Sequence, residues 1–168
     1  MRNRQKKVVL IGDFSVGKTS LIRRYVENSF SDTYLSTIGV KISKKNITID
    51  DETILLLIWD IEGALDKIKR VNKTYIKGAS AAIIVTDVTS TEIESTLQKH
   101  LDDLHSVNGA IPSMIAFNKI DKDESFIIDI DDILQKNSNI VGTFKTSAKS
   151  GKNVEKMFEL LVKEIVEC

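Results

Sequence analysis

The chain has 168 residues, of which 42 % are hydrophobic, enough for one folded domain with a full core. Its 24 basic and 24 acidic side chains cancel to a formal net charge of zero, so composition gives no reason to expect a nucleic-acid partner. No apolar stretch approaches the roughly 20 residues that cross a bilayer, and the opening residues do not resemble a secretory signal.

The first half of the chain predicts three strands and one helix. Residues 8–11 form a continuous apolar run, which is typical of a parallel strand buried on both faces. A helix follows, with the apolar residues of segment 21–26 on its inner face. Residues 41–49 alternate between apolar and polar side chains, which favours an edge strand, whereas 54–59 form a second continuous run.

The second half predicts three more strands and a long amphipathic helix at the end. Residues 81–86 and 114–117 are continuous apolar runs, and 140–145 are a weaker sixth strand candidate. Apolar residues then recur at steps of three and four through 154–165, as expected for a helix that packs one face on the core.

A further helix is predicted between the strands at 81–86 and 114–117. Thr91 and Glu94 form a capping-box pattern that predicts its start. His100 and His105 lie on this predicted surface helix, and neither has the spacing of a metal site. The alternation of strands and helices predicts one α/β domain over residues 1–168, with a six-stranded, mostly parallel sheet flanked by about five helices.

The segment 12–19 reads Gly-Asp-Phe-Ser-Val-Gly-Lys-Thr and fits a phosphate-binding loop. It lies between a strand and a helix, where successive N–H groups and the helix N-terminus can face an anion. Gly17 lets the backbone approach a phosphate, Lys18 would neutralise the β- and γ-phosphates, and Thr19 offers a hydroxyl to Mg²⁺. The neighbouring residues expected to touch the nucleotide are Ser15, Val16 and Ser20.

Residues 118–121 read Asn-Lys-Ile-Asp, which resembles the guanine-specificity motif of the GTPase superfamily and so indicates which base is bound. A carboxylate at Asp121 can accept from both N1–H and the exocyclic N2–H of guanine, a donor pair that adenine lacks. Asn118 and Lys119 complete this candidate base site. A P-loop ATPase or kinase is therefore disfavoured, although Asn and Asp are also common in ordinary turns after strands.

These motifs, in their order and spacing, resemble those of the Ras superfamily of small GTPases over essentially the whole chain. Four features favour the Rab branch over Ras, Rho or Arf: segment 36–40, Trp59 before Asp60, segment 75–79 and segment 84–89. The resemblance implies GTP and GDP as ligands, Mg²⁺ as cofactor, and GTP hydrolysis as the reaction.

The resemblance also assigns roles to several residues. Asp60 would hold Mg²⁺ through water, Thr37 would complete the Mg²⁺ shell when GTP is bound, and the N–H of Gly63 would sense the γ-phosphate. Lys18, Thr37 and Gly63 would thus assist catalysis. Phe30 stands where the family places an aromatic ring against guanine, although an ordinary core phenylalanine would fit the pattern too. The remaining expected nucleotide contacts are Tyr34, Ser147, Ala148 and Lys149.

Two departures fall on the hydrolysis machinery. Ala64 occupies the position where the family has the glutamine that orients the attacking water, so no catalytic side chain can be named there. Phe14 replaces a small residue of the phosphate loop and would crowd an arginine finger. Slow hydrolysis is therefore expected, unless Phe14 packs harmlessly against a switch helix and Ala64 is compensated. Many proteins that activate Rab GTPases supply both an arginine and a glutamine.

Partner surfaces are expected at residues 30–40 and 60–77, where exchange factors, activating proteins and effectors bind family members. Segment 64–70 and Lys41 depart from the Rab pattern, which leaves the identity of those partners open. The alternative to a slow switch is a hydrolysis-deficient, GTP-bound scaffold.

The single cysteine, Cys168, cannot form an internal disulfide, so a reducing, cytoplasmic compartment is expected. A peripheral position on intracellular membranes would need a lipidated tail, and a lone terminal cysteine does not form a CaaX box. The end at Cys168 fits either a truncated chain or a true terminus.

Overall fold

A computed structural model describes residues 4–34, 36–63 and 73–167. Its strands are β1 (Arg4–Ile11), β2 (Val40–Ile49), β3 (Glu52–Ile61), β4 (Ala81–Asp87), β5 (Ser113–Asn118) and β6 (Ile140–Lys145). Its helices are α1 (Lys18–Glu27), α2 (Lys73–Ile76), α3 (Ile93–Asn108), α4 (Asp131–Lys136) and α5 (Val154–Val166), with a 3-10 turn at Ile120–Lys122. One sheet contains all six strands in the order β2-β3-β1-β4-β5-β6. Only β2 runs antiparallel to its neighbour, which confirms the predicted mostly parallel sheet with an edge strand.

Helices cover both faces of the sheet. On one face α1 and α5 pack together, and the rings of Tyr25 and Phe158 stack with centroids 3.9 Å apart. On the other face α3 contributes Leu97, Leu101 and Leu104 to a second buried cluster. Burial of these apolar side chains is the main driving force for the fold. It holds the carboxyl ends of the parallel strands at one edge, where the loops that carry the predicted motifs gather.

Two local predictions were wrong. β1 begins at Arg4 rather than at residue 8, because its polar first half pairs with β3 through the register Arg4↔Ile54. The capping box is absent: α3 begins after Glu92, and no side chain caps its N-terminus. Thr91 therefore lies outside the helix, one residue too early for the pattern to work.

His100 is also not on the surface. It is fully buried at 0 % exposure, with its Nε2 3.0 Å from Oδ1 of Asp13 in the loop after β1. His105 is partly exposed and contacts Asn139, as the amphipathic pattern of α3 allows. The apolar pattern of α3 does not identify His100 as buried, because a histidine is polar and its partner Asp13 is far away in the sequence.

Candidate nucleotide site

A cleft of about 350 Å³ opens at the carboxyl ends of the strands. Most of the residues expected to form a site line this single cleft: Ser15, Gly17, Lys18, Thr19, Ser20, Phe30, Tyr34, Thr37, Asp60, Gly63, Asn118, Lys119, Asp121, Ala148 and Lys149. Val16 and Ser147 are buried and do not line the cleft. The volume and the mixed polar lining suit a ligand of nucleotide size.

The loop after β1 has the shape of an anion cradle. Gly17 adopts φ 102°, and a Cβ there would lie 2.3 Å from Nδ2 of Asn118, so only glycine fits this position. The ammonium of Lys18 is 6 % exposed and donates to the carbonyls of Gly12 (3.0 Å) and Asp13 (2.8 Å). Burial lowers the pKa of Lys18 to about 8, against the raising effects of Asp60 and Asp13. A bound anion would raise this pKa again and favour the charged form.

The opposite end of the cleft is held by hydrogen bonds between strand ends. Asn118, at the end of β5, donates from Nδ2 to the carbonyl of Val16 at 3.0 Å and accepts from Thr146 at 3.2 Å. Ser147 donates to Oδ1 of Asp121 at 2.6 Å, which fixes that carboxylate. The three loops after β1, β5 and β6 are therefore fixed relative to one another.

Lys119 and Arg24 make further contacts that join the loops around the cleft. Lys119 donates to the carbonyl of Ser15 at 2.5 Å and pairs with Asp87 at 2.7 Å. Arg24 of α1 donates to the carbonyls of Ala148 (2.8 Å) and Lys149 (2.6 Å), across more than 120 residues of sequence. Sequence reasoning missed Arg24, because nothing in its spacing indicates that it holds a loop.

Three oxygen-bearing side chains converge near Lys18. The hydroxyl of Thr19 lies 2.5 Å from Oδ2 of Asp60 and 2.8 Å from the hydroxyl of Thr37, and Thr37 lies 3.1 Å from the same Asp60 oxygen. Oδ1 of Asp60 is buried with no hydrogen-bond partner among the described residues. Hard oxygen donors around an unpaired carboxylate oxygen are what Mg²⁺ requires, so this donor set fits the cation.

Aromatic side chains border the mouth of the cleft. The rings of Phe14 and Tyr34 meet edge to face, with centroids 5.3 Å apart and planes at 72°, although they are 38 % and 55 % exposed. Phe14 therefore contacts Tyr34 in segment 30–40, which is the first switch segment. Segment 60–77 is the second. Phe30 lines the cleft and also packs against the core cluster of α1 and α5. Its position therefore suits both a ring placed against guanine and an ordinary core phenylalanine.

The two switch segments contact each other and the phosphate loop. The N–H of Gly39 donates to the Glu62 carboxylate at 3.1 Å, and the N–H of Glu62 donates to the Gly39 carbonyl at 2.8 Å. A Cβ at Gly63 would lie 2.7 Å from the backbone of Asp13 and Phe14, so this contact also requires glycine. Leu35, segment 64–72, which includes Ala64, and Cys168 lie outside the described residues, so the predictions that rest on them stay predictions.

Comparison with known proteins agrees with this geometry. The model of the Ras family matches residues 7–167. The Ras-related proteins Rab-1 of Theileria parva and Theileria annulata are each 35 % identical to the chain over 167 residues, which cover 95 % of it and 73 % of each relative. None of the helices in the described ranges is long and apolar enough to cross a membrane. The family match over nearly the whole chain and the two relatives show that the chain belongs to the Ras family of small GTPases and is Rab-like.

Proposed function

We propose that this chain, as one GTPase domain over residues 1–168, is a guanine-nucleotide switch that uses Mg²⁺ and hydrolyses GTP slowly. The observation that carries the proposal is the position of Asp121 and Lys18 at opposite ends of one cleft. Asp121 has its carboxylate oriented by Ser147, and Lys18 is buried among carbonyl groups. A guanine at the first end would place its phosphates at the second.

Selection of guanine is assigned to Asp121. Its carboxylate accepts the N1–H and N2–H of the base, while Asn118 and Thr146 keep the loops after β5 and β6 in place. The N–H of Ala148 would donate to O6 of guanine from a loop that Arg24 holds through the Ala148 carbonyl. An adenine lacks the N1–H and N2–H pair, so Asp121 would accept only from Ser147 and would lose both contacts with the base.

The phosphates are assigned to the loop after β1. Lys18 and the N–H groups that begin α1 would bind the β- and γ-phosphates. Thr19, Thr37 and Asp60 would hold Mg²⁺, with Asp60 acting through water. Bound there, Mg²⁺ neutralises charge on the phosphate oxygens.

Switching is assigned to Thr37 and Gly63. Contacts of these two residues with the γ-phosphate side would order both switch segments, which the pair of hydrogen bonds between Gly39 and Glu62 already links. Loss of the γ-phosphate would then release both segments together. Residues 30–40 and 60–77 are the proposed surface for exchange factor, activating protein and effector.

Unassisted hydrolysis is proposed to be slow because no side chain at Ala64 can orient water, and assisted hydrolysis is proposed to be slow because Phe14 would crowd an arginine finger. The second candidate is a hydrolysis-deficient scaffold that remains GTP-bound, and the Phe14–Tyr34 contact is the observation that favours it. Similarity to Rab-1 proteins supports a role in membrane traffic, with attachment to a membrane dependent on a lipidated tail.

Nucleotide competition and hydrogen exchange test this function together. GTP and GDP should displace a fluorescent guanine nucleotide in the presence of Mg²⁺, whereas ATP should not. Hydrogen exchange should differ between the GDP and GTP-analogue forms mainly near Thr37 and at residues 63–77. Preference for ATP would refute guanine binding, and equal protection in both forms would refute the switch.

A further inference from the structure

We propose that His100 is a positioning residue for the phosphate loop, through which α3 determines how tightly the β-phosphate is held. The inference rests on the proposed function, since it concerns the same loop. It goes beyond that function in assigning a role to a residue that lies outside the cleft and outside all the motifs.

Two side chains of α3 hold the side chain of Asp13. Nε2 of His100 lies 3.0 Å from Oδ1 of Asp13, and the hydroxyl of Thr96 donates to Oδ2 at 3.2 Å. Thr96 and His100 are four residues apart, so they lie on the same face of the helix. Two groups on one helix face thus hold both oxygens of one carboxylate, and the position of the carboxylate follows that of α3.

The backbone of Asp13 connects this pair to the proposed phosphate site. Its carbonyl accepts from the ammonium of Lys18 at 2.8 Å. The same peptide lies so close to Gly63 that a Cβ there would be 2.7 Å away. Asp13 therefore touches both the lysine and the glycine that are assigned to the β- and γ-phosphates.

The contact between His100 and Asp13 is charge-assisted. The hydrogen bond from His100 is the largest effect on the pKa of Asp13 and lowers it, while partial burial opposes that change. Because an ionised carboxylate can only accept, Nε2–H of His100 is the donor. Hydrogen bonds to an ionised group are roughly twice as strong as neutral ones, so this pair can fix the loop.

The rest of the His100 side chain does not favour a purely structural role. The ring is fully buried, and Nδ1 has no hydrogen-bond partner among the described residues. An apolar residue at this position would avoid that unpaired nitrogen and would pack on the same cluster that Leu97 and Leu101 form. The benefit of histidine at this position is the bond that it makes to Asp13.

The test measures GDP release from the intact chain. We expect His100→Leu to release fluorescent GDP about tenfold faster, and His100→Gln, which keeps an N–H donor, to recover most of the difference. His105→Gln is the matched control, because His105 lies on the same helix but contacts Asn139. If the leucine variant does not fold, Asp13→Ala removes the same contact from a half-exposed loop and is expected to match it.

Affinity for GMP separates positioning of the loop from general damage to α3. If His100 acts through the phosphate loop, His100→Leu and Asp13→Ala weaken GDP binding but leave GMP binding within about twofold of the unchanged chain. Equal losses for GDP and GMP, or unchanged GDP release in His100→Leu and Asp13→Ala, would overturn the proposal. Failure of the unchanged chain to bind any guanine nucleotide would instead refute the proposed function.

Discussion

The two ends of the cleft are built in different ways. At the end that contains Asp121, side chains bond to the backbone of neighbouring loops, as Asn118 does to Val16 and Arg24 does to Ala148. At the end that contains Lys18, the family pattern is interrupted by Phe14, which contacts Tyr34 instead of leaving the loop open. The proposed base recognition therefore uses a set of hydrogen bonds that is complete within the chain, whereas the proposed hydrolysis uses positions where this chain departs from its family.

This difference indicates that selectivity for guanine should withstand sequence changes that alter the rate of hydrolysis. A preorganised set of hydrogen bonds does not need the ligand in order to form, so selectivity for guanine should tolerate changes at the other end. Positioning of water needs one side chain in one place, and we expect its absence at Ala64 to lower the rate of hydrolysis without weakening nucleotide binding. The following variants are chosen to change one end and leave the other intact.

The largest effect is expected from Lys18→Ala. This change removes the buried ammonium that donates to Gly12 and Asp13 and that is assigned to the phosphates. Loss of a charge-assisted contact of this kind costs about 3 kcal/mol, or more than hundredfold in GDP and GTP affinity. Calorimetric titration measures the effect, and unchanged GTP affinity would show that the loop after β1 is not the phosphate site.

Asp121→Asn should change the base that is preferred. The amide replaces one acceptor oxygen with a donor, which opposes guanine N1–H and N2–H but suits the oxygen at C2 of xanthine. We expect GTP affinity to fall by about 2–3 kcal/mol and xanthosine triphosphate to bind more tightly than GTP. Competition assays with both nucleotides measure the change.

Asp132→Asn is the control for that variant, because Asp132 is an exposed acid of the nearby helix α4. It should leave the preference unaltered. An Asp121→Asn variant that still prefers GTP would contradict the assignment of the base end.

Returning Ala64 and Phe14 to the residues usual in the family should raise GTP hydrolysis, with an effect smaller than that of Asp121→Asn and larger than that of Arg24→Ala. Ala64→Gln supplies a side chain that can orient water, which is expected to lower the barrier by roughly 1.4 kcal/mol and so raise the unassisted rate about tenfold. Phe14→Gly should have little effect on that rate and should instead restore the response to an activating protein. Phosphate release under single-turnover conditions measures both changes. No gain in the unassisted rate from Ala64→Gln would mean that another residue positions the water.

The smallest effect is expected from Arg24, which holds the base end from α1. Arg24→Ala removes two hydrogen bonds to the loop at residues 148–149, and nucleotide release should speed up about fivefold, near 1 kcal/mol. Arg24→Lys keeps the charge but cannot donate in two directions from a planar group, so partial recovery is expected. Stopped-flow measurement of GDP release would detect it, and identical rates in all three proteins would show that Arg24 does not support the base end.

Much of the fold could be predicted because continuous apolar runs and a strand–glycine-loop–helix order leave few topologies. The residues that line the cleft could also be predicted, since the family motifs fix their places along the chain. The contact between His100 and Asp13 could not, because 87 residues separate the two positions and a single buried histidine has no pattern of its own. The start of β1 was missed for a related reason: its polar half is stabilised by pairing with β3, and not by burial of its side chains.

The most direct test of the account is the fate of bound GTP in the unchanged chain. The protein would be loaded with GTP and Mg²⁺, freed of excess nucleotide, and sampled over hours, with bound nucleotides separated by chromatography. Glutamine-bearing Ras hydrolyses GTP at about 3–5 × 10⁻⁴ s⁻¹, a half-life on the order of half an hour. We expect guanine nucleotide to stay bound while GTP persists with a half-life of several hours. We expect Ala64→Gln to shorten that half-life. Rapid conversion to GDP in the unchanged chain, at the rate of the Ala64→Gln variant, would contradict it.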